Sequence, residues 1–139
     1  MYNIDRFVDM HKEYYETAFQ EIKNGYKRSH WMWYIFPQLK ELGSSSISKS
    51  YGLDGIEEVK EYMENSYLKN NMLEICNELL KQDGDIKYIM GYPDYLKLNS
   101  SMTLFEYAFS DEEIFSKIID KFYNGKRDKM TLDILKENR

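Results

Sequence analysis

Lys27-Arg28-Ser29-His30-Trp31-Met32-Trp33-Tyr34-Ile35-Phe36-Pro37-Gln38 holds both tryptophans of the chain, one of its two histidines and one of its two prolines. From Trp31 to Phe36, consecutive bulky apolar or aromatic residues leave no polar face at either a helical or a strand period. Such a segment is expected to be enclosed on most sides and to sit at the centre of the core. It is far shorter than the roughly 20 residues that cross a bilayer, and Pro37 closes it. Aromatic and β-branched content would suit a buried strand, whereas Ser29 as an N-cap and Pro37 as a stop suit a short helix. The helix is the preferred reading, because the flanking segments have helical patterns and no partner strand is evident.

Working outward, Asn3 or Asp5 can cap a first helix running to about Asn24. Phe7, Val8, His11, Tyr14, Tyr15, Ala18, Phe19 and Ile22 share one of its faces, and Gly25 ends it. His11 on that apolar face reads as a hydrogen-bonded core histidine. Beyond the aromatic segment, Gly43-Ser44-Ser45-Ser46 breaks the pattern and reads as a plain loop, since it lacks the Walker spacing and its Gly-Lys-Ser/Thr ending. Asp54 can cap a helix through Asn65, and a further helix carries Leu68, Met72, Ile75, Cys76 and Leu79 inward until Asp83-Gly84. A short element from Asp85 to Met90 stops at Gly91-Tyr92-Pro93, after which Asp94 can cap the next segment. The irregular order of Tyr95 to Phe109 predicts two short helices broken near Asn99-Ser100. Ser110-Asp111-Glu112-Glu113 has the form of a capping box opening a helix that ends at Asn124-Gly125. A basic link, Lys126-Arg127-Asp128-Lys129, precedes a last short helix.

The reading is therefore an all-α fold, a single compact domain over residues 1–139 with about six to eight helices packed around the aromatic segment. A chain of 139 residues can bury roughly two-thirds of its unfolded surface without disulfides. The lone cysteine, Cys76, falls at a core spacing and fits a reducing, cytoplasmic setting as an inert thiol. With 19 basic against 24 acidic residues, the net charge of −5 supplies no bulk field for duplex nucleic acid or an anionic membrane, although a local patch is compatible with it. Aromatic residues make up 16% of the chain, high for a small acidic domain.

Metal binding is not expected, because His11 and His30 stand far apart and no Cys or carboxylate cluster shows ligand spacing with either. No cofactor is implied, and there is no Gly-x-Ser-x-Gly elbow. The better constellation joins two stretches. Lys27 and Arg28 bring positive charge beside the amide donors that a Ser29-capped helix would offer an anion. Trp31 and Trp33 offer flat faces, His30 a proton carrier and Gln38 a two-way amide. The second stretch adds Asp94, Lys97, Ser100, Ser101 and Thr103. These groups suit a planar, phosphate-bearing ligand such as a nucleotide. In the plainer reading, the tryptophans fill the core, Ser29 and Asp94 are caps, and Lys27 and Arg28 are solvated.

On the residues Lys27 to Gln38, with Leu42-Gly43, Tyr51-Gly52, Asp94, Lys97 and Ser100 to Phe105, the chain resembles a bacterial family of small proteins of unknown function, whose signature reads Lys-Arg-Ser-His-Trp-Met-Trp-aromatic-Ile-Phe-Pro-Gln. The resemblance spans nearly the whole chain and implies a single, mainly helical domain with no assigned activity. Glu41 stands where the family's Gly-Leu-Gly turn would have a glycine. Family members are sometimes labelled calpastatin-like, but such inhibitors are extended and poor in aromatics, unlike this composition.

Two functional expectations follow. One is a small-molecule pocket, with Lys27 and Arg28 on phosphate, Trp31 or Trp33 against a base, and His30 or Asp94 moving a proton; its catalytic form would act on nucleoside or nucleotide derivatives. The other is a non-catalytic interaction module or homodimer, drawing on the surplus of aromatic residues.

Overall fold

The computed structural model describes residues 2–137, and the periodicity of the first segment is realised as α1, Asp5–Lys23. Its buried positions, Phe7, His11, Tyr15, Ala18 and Ile22, fall at helical spacings, and the chain leaves through Gly25 at φ +76°, where a side chain would be strained. The aromatic segment contributes one helical turn, α2, Met32–Ile35, which packs on α1. Trp31, Met32, Tyr34, Ile35 and Phe36 are all buried, and Trp33 is half-buried. The expectation of an enclosed, helical centre holds. Ser29 is not its cap, however: Trp31 occupies that position and no side chain caps the turn.

A looped strap follows, closed on itself by Lys40 N–H to the Leu53 carbonyl and Leu53 N–H to the Gln38 carbonyl, both at 2.8 Å. Within it, Lys40–Leu42 forms a 3-10 turn and Ser46–Ser50 forms α3. The expected loop holds from Gly43 to Ser45, and Ser46 already opens α3. The Ser45 hydroxyl accepts from the Ser48 amide, and the Ser48 hydroxyl answers on the Ser45 amide, a reciprocal capping box built from two serines. Gly52 is required by close approach, since a β-carbon there would lie 2.4 Å from the Lys40 α-carbon. Glu41, in place of the family's glycine, needs no special backbone: outside glycine, only Asn124 has positive φ among the described residues.

The remaining helices are α4, Ile56–Glu64; α5, Ser66–Leu80; α6, Ile86–Met90; α7, Asp94–Ala108; α8, Glu113–Tyr123; and α9, Lys129–Glu137. Packing runs from α1 to α5, α5 to α8 and α8 to α7, and α7 also meets α4, α6 and α9. The all-α expectation holds, with α3 and α6 as short additions to the longer helices. Helix α7 is continuous through Asn99-Ser100, where a break was expected. Leu98 and every residue from Ser100 to Phe105 are buried, so the middle of this helix is covered on nearly all sides and has no polar stripe for periodicity to mark. Two of its small polar residues find partners within the fold, the Ser100 hydroxyl bonding the Leu96 carbonyl and Asp128, and the Thr103 hydroxyl accepting from the Asp128 amide.

Several expected caps are displaced. Ile4, Gly55, Pro93 and Glu112 hold the N-cap positions where Asn3 or Asp5, Asp54, Asp94 and Ser110 were expected, and none of the four caps through its side chain. Asn65 and Asp85 do cap, on α5 and α6. Among the described residues, no helix is long and apolar enough to cross a membrane.

Candidate functional site

Helix α1 holds the aromatic segment through two polar side chains. Near its middle, the buried His11 Nε2–H donates to the Tyr34 carbonyl at 2.8 Å, while Nδ1 accepts from the Asn71 amide at 3.1 Å. The carbonyl can only accept, which fixes the proton on Nε2. Burial pushes this imidazole down to about 4, with the Tyr34 bond opposing the shift. At the C-terminal end of α1, the Glu21 carboxylate accepts from the Arg28 amide, the Ser29 amide, the Ser29 hydroxyl and the Trp31 indole N–H. Burial alone would raise its pKa, but these donors outweigh burial and hold the carboxyl below the usual range. The donors that the sequence suggested for an external anion are therefore occupied by an internal one.

Lys27 is also turned inward. Its ammonium pairs with Asp94 at 2.8 Å, donates to the Ser29 carbonyl and lies 4.8 Å from the Trp31 ring centroid, with its side chain only 5% exposed. Arg28 points elsewhere, exposed at 5.7 Å from the Tyr26 ring. Trp31 itself is fully buried.

The opposite side of the segment is built differently. Trp33, Gln38 and Lys97 line a narrow cleft with Met32, Phe36, Ser48 and Tyr51, between α2, the strap and α7. Its interior, about 10 Å³, is roughly one water-sized sphere. The Trp33 Nε1 is buried and has no hydrogen-bond partner among the described residues. Lys97 stands 5.5 Å above the Trp33 ring and 4.0 Å from Asp94, which thereby lies between two ammonium groups. Beside the cleft, Tyr34 and Tyr51 pack edge to face at 4.8 Å. A larger groove of about 540 Å³ beside Met63, Ser66, Lys69 and Phe109 contains none of the expected residues and no unpartnered buried donor.

Tertiary structure thus gathers Trp33, Gln38 and Lys97 at one cleft and places Lys27, Ser29, Trp31 and Asp94 in the adjoining packed layer. It leaves out the others. His30 is exposed and makes no hydrogen bond or ion pair among the described residues. Ser100 and Thr103 receive the start of α9, the Asp128 amide donating to Thr103 and its carboxylate accepting from Ser100 and Thr131. Ser101 is fully buried with its hydroxyl unpartnered. Cys76 is buried and desolvation pushes its thiol pKa up, in keeping with an inert core cysteine. No group of His, Cys, Asp and Glu among the described residues could hold a metal ion.

Glu21, Ser48 and Tyr51 were not anticipated. Glu21 could have been found as a carboxylate one turn before the Gly25 reversal, where the returning chain must pass. Ser48 and Tyr51 carry no local signal, because the strap's fold brings them to Trp33.

A family described as "Protein of unknown function (DUF1810)" matches residues 1–135. No curated protein matches the chain. Among solved structures, the chain is similar to the conserved hypothetical protein Rv1873 from Mycobacterium tuberculosis, with 37% identity, a TM-score of 0.93 and 96% of each chain covered.

Proposed function

The chain belongs to the DUF1810 family of proteins of unknown function, and from that premise, which supplies no inherited activity, we propose that it binds a small planar, phosphate-bearing ligand such as a nucleotide at the Trp33 cleft. The observation that carries this reading is the buried Trp33 indole N–H, which lacks an acceptor although the side chain lines a cleft with Gln38, Ser48 and Lys97. An unpaired buried donor costs about 1–3 kcal/mol, and an acceptor brought by a ligand would recover it. Gln38 offers both donors and acceptors, the Trp33 ring a face for a base, and Lys97 the charge for an anionic group, while the Ser48 hydroxyl is engaged with Ser45 and only shapes the wall. Lys27 and Arg28 have no part in this version, since one is paired with Asp94 and the other lies on a different surface. Entry requires the strap carrying Ser48 and Tyr51 to move outward, because the closed cleft admits about one water.

The reading is one of binding. His30 lies outside the cleft lining, and Asp94 between Lys27 and Lys97 serves to position them. An enzymatic form, acting on nucleoside or nucleotide derivatives, would show as turnover of whichever ligand is found. The inert Cys76 suits a reducing, cytoplasmic setting for it.

The test is a thermal-shift and tryptophan-fluorescence screen against nucleotides, nucleosides and sugar phosphates. The expected hit raises the melting temperature, quenches fluorescence and is lost in both Trp33→Phe and Lys97→Ala. At about 100 times its dissociation constant, such a ligand adds roughly 2.7 kcal/mol. A hit untouched by both substitutions, or no hit across the panel, overturns the proposal.

A further inference from the structure

The seven large apolar side chains that are exposed among the described residues are not scattered evenly: Tyr26, Tyr88 and Tyr92 belong to one surface, formed by the link after α1, by α6, by the link after it and by Tyr95 of α7. The Lys27 amide, bonded to the Ile89 carbonyl at 2.7 Å, fixes the link to α6. Helix α6 turns Ile86, Ile89 and Met90 inward and so presents Lys87 and Tyr88 to solvent. Tyr88 is 67% exposed and Tyr92 81%, more than packing against the protein requires.

Cations alternate with these rings. Arg28 lies over Tyr26, whose ring contacts Tyr88 at 5.0 Å; Lys87 lies over Tyr95, whose ring is 6.2 Å from Tyr92. Neither Arg28 nor Lys87 is in a salt bridge among the described residues. The acids around them are mostly engaged: Glu21 by the Ser29–Trp31 donors, Asp94 by two lysines, and Asp85 by the Lys87 amide that it caps. Glu16, on α1 beyond Arg28, is the acid at the edge of this surface.

We propose that this tyrosine band binds single-stranded nucleic acid, its rings stacking unpaired bases while Arg28 and Lys87 neutralise phosphates. Open ring faces with interspersed cations are the elements by which single strands are held without sequence preference. A duplex hides its base faces, and the net charge of −5 opposes a binding mode that relies on phosphates alone. An acidic peptide would use the two cations but not the ring faces. This inference is independent of the Trp33 cleft and shares no residue with it.

The experiment is fluorescence anisotropy of a labelled single-stranded oligonucleotide about ten nucleotides long, within the span that single-strand binders cover. The affinity is expected to fall with salt at a logarithmic slope of about −1.4, from two phosphates at about −0.7 each, and Lys87→Gln to remove about half of it. Tyr88→Ala and Tyr92→Ala should each weaken binding roughly tenfold, the scale of losing one base stack. Both side chains are exposed, so an unchanged melting temperature shows that the variants remain folded. No binding at low salt, equal binding of the matched duplex or of polyglutamate, or tyrosine variants that bind like the parent would each overturn the proposal.

Discussion

Trp31 and Trp33 stand two residues apart in the same short turn, yet the two sides of that turn meet different environments. The α1 side is closed: the Trp31 indole N–H reaches Glu21, the Tyr34 carbonyl reaches His11, and Lys27 reaches Asp94. On the strap side, the Trp33 indole N–H is buried without an acceptor among the described residues, beside a cleft edged by Gln38, Ser48 and Lys97. A satisfied buried group specifies and stabilises the fold, whereas an unsatisfied one is a standing cost that invites an occupant. The comparison gives Trp31 its work in folding and makes Trp33 the residue on which the proposed binding rests.

The largest expected effect is on the closed side. Trp31→Ala removes a fully buried ring and its bond to Glu21, and should lower unfolding free energy by about 4 kcal/mol in denaturant titration. If it costs no more than Trp33→Ala, the contrast between the two sides fails.

Next comes acid sensitivity through His11. Its pKa drops from 6.5 to about 4 on burial, so the unfolded chain takes up the proton first as pH falls. The associated stability is fully present above about pH 6.5 and declines by about 3 kcal/mol as pH approaches 4. Stability measured across this window in wild type and His11→Gln should show the decline only in the former.

Glu21→Gln should cost about 2 kcal/mol, since the amide oxygen can keep the three N–H donors and the amide nitrogen can meet the Ser29 hydroxyl, but the bonds lose the strength that the carboxylate charge gave them. Because the Glu21 carboxyl pKa is held below the usual range, its contribution is present above that range and lost as pH falls through the depressed value. Melting curves below pH 4.5 should therefore be flatter for the variant.

The smallest effect sharpens the comparison most. Trp33→Phe deletes a donor that has no partner among the described residues, so stability should change by less than about 1 kcal/mol, or rise, while ligand-induced thermal shift disappears. A large destabilisation would show Trp33 to be structural like its neighbour.

Much of the architecture was legible because α1, α4, α5 and α8 each bury one face and expose the other, and burial at helical spacing leaves its trace in residue order. Helix α7 was not, since a helix covered on nearly every side along its middle carries no polar stripe, and Asn99-Ser100 looks like a break until Lys126 and Asp128 are seen to meet it. In the strap the loop at residues 43–45 was legible, but the helical turn after it was not, since it rests on Ser45 and Ser48 capping one another. Of the candidate site, the residue types were legible but not their allegiance. Lys27, Arg28 and Ser29 looked like one anion cradle, and their side chains take separate partners.

By itself, the sequence determined the all-α class, the burial of the aromatic turn, the core setting of His11 and the inertness of Cys76, because each follows from local periodicity and side-chain chemistry. Only the tertiary structure decided that Glu21 fills the motif's donors, that Ser48, Tyr51 and Lys97 converge on Trp33, and that Tyr88 of α6 and Tyr92 after it remain in solvent. Desolvation and hydrogen bonding act between groups close in space, and residues 20 or 60 positions apart become neighbours only when the helices pack.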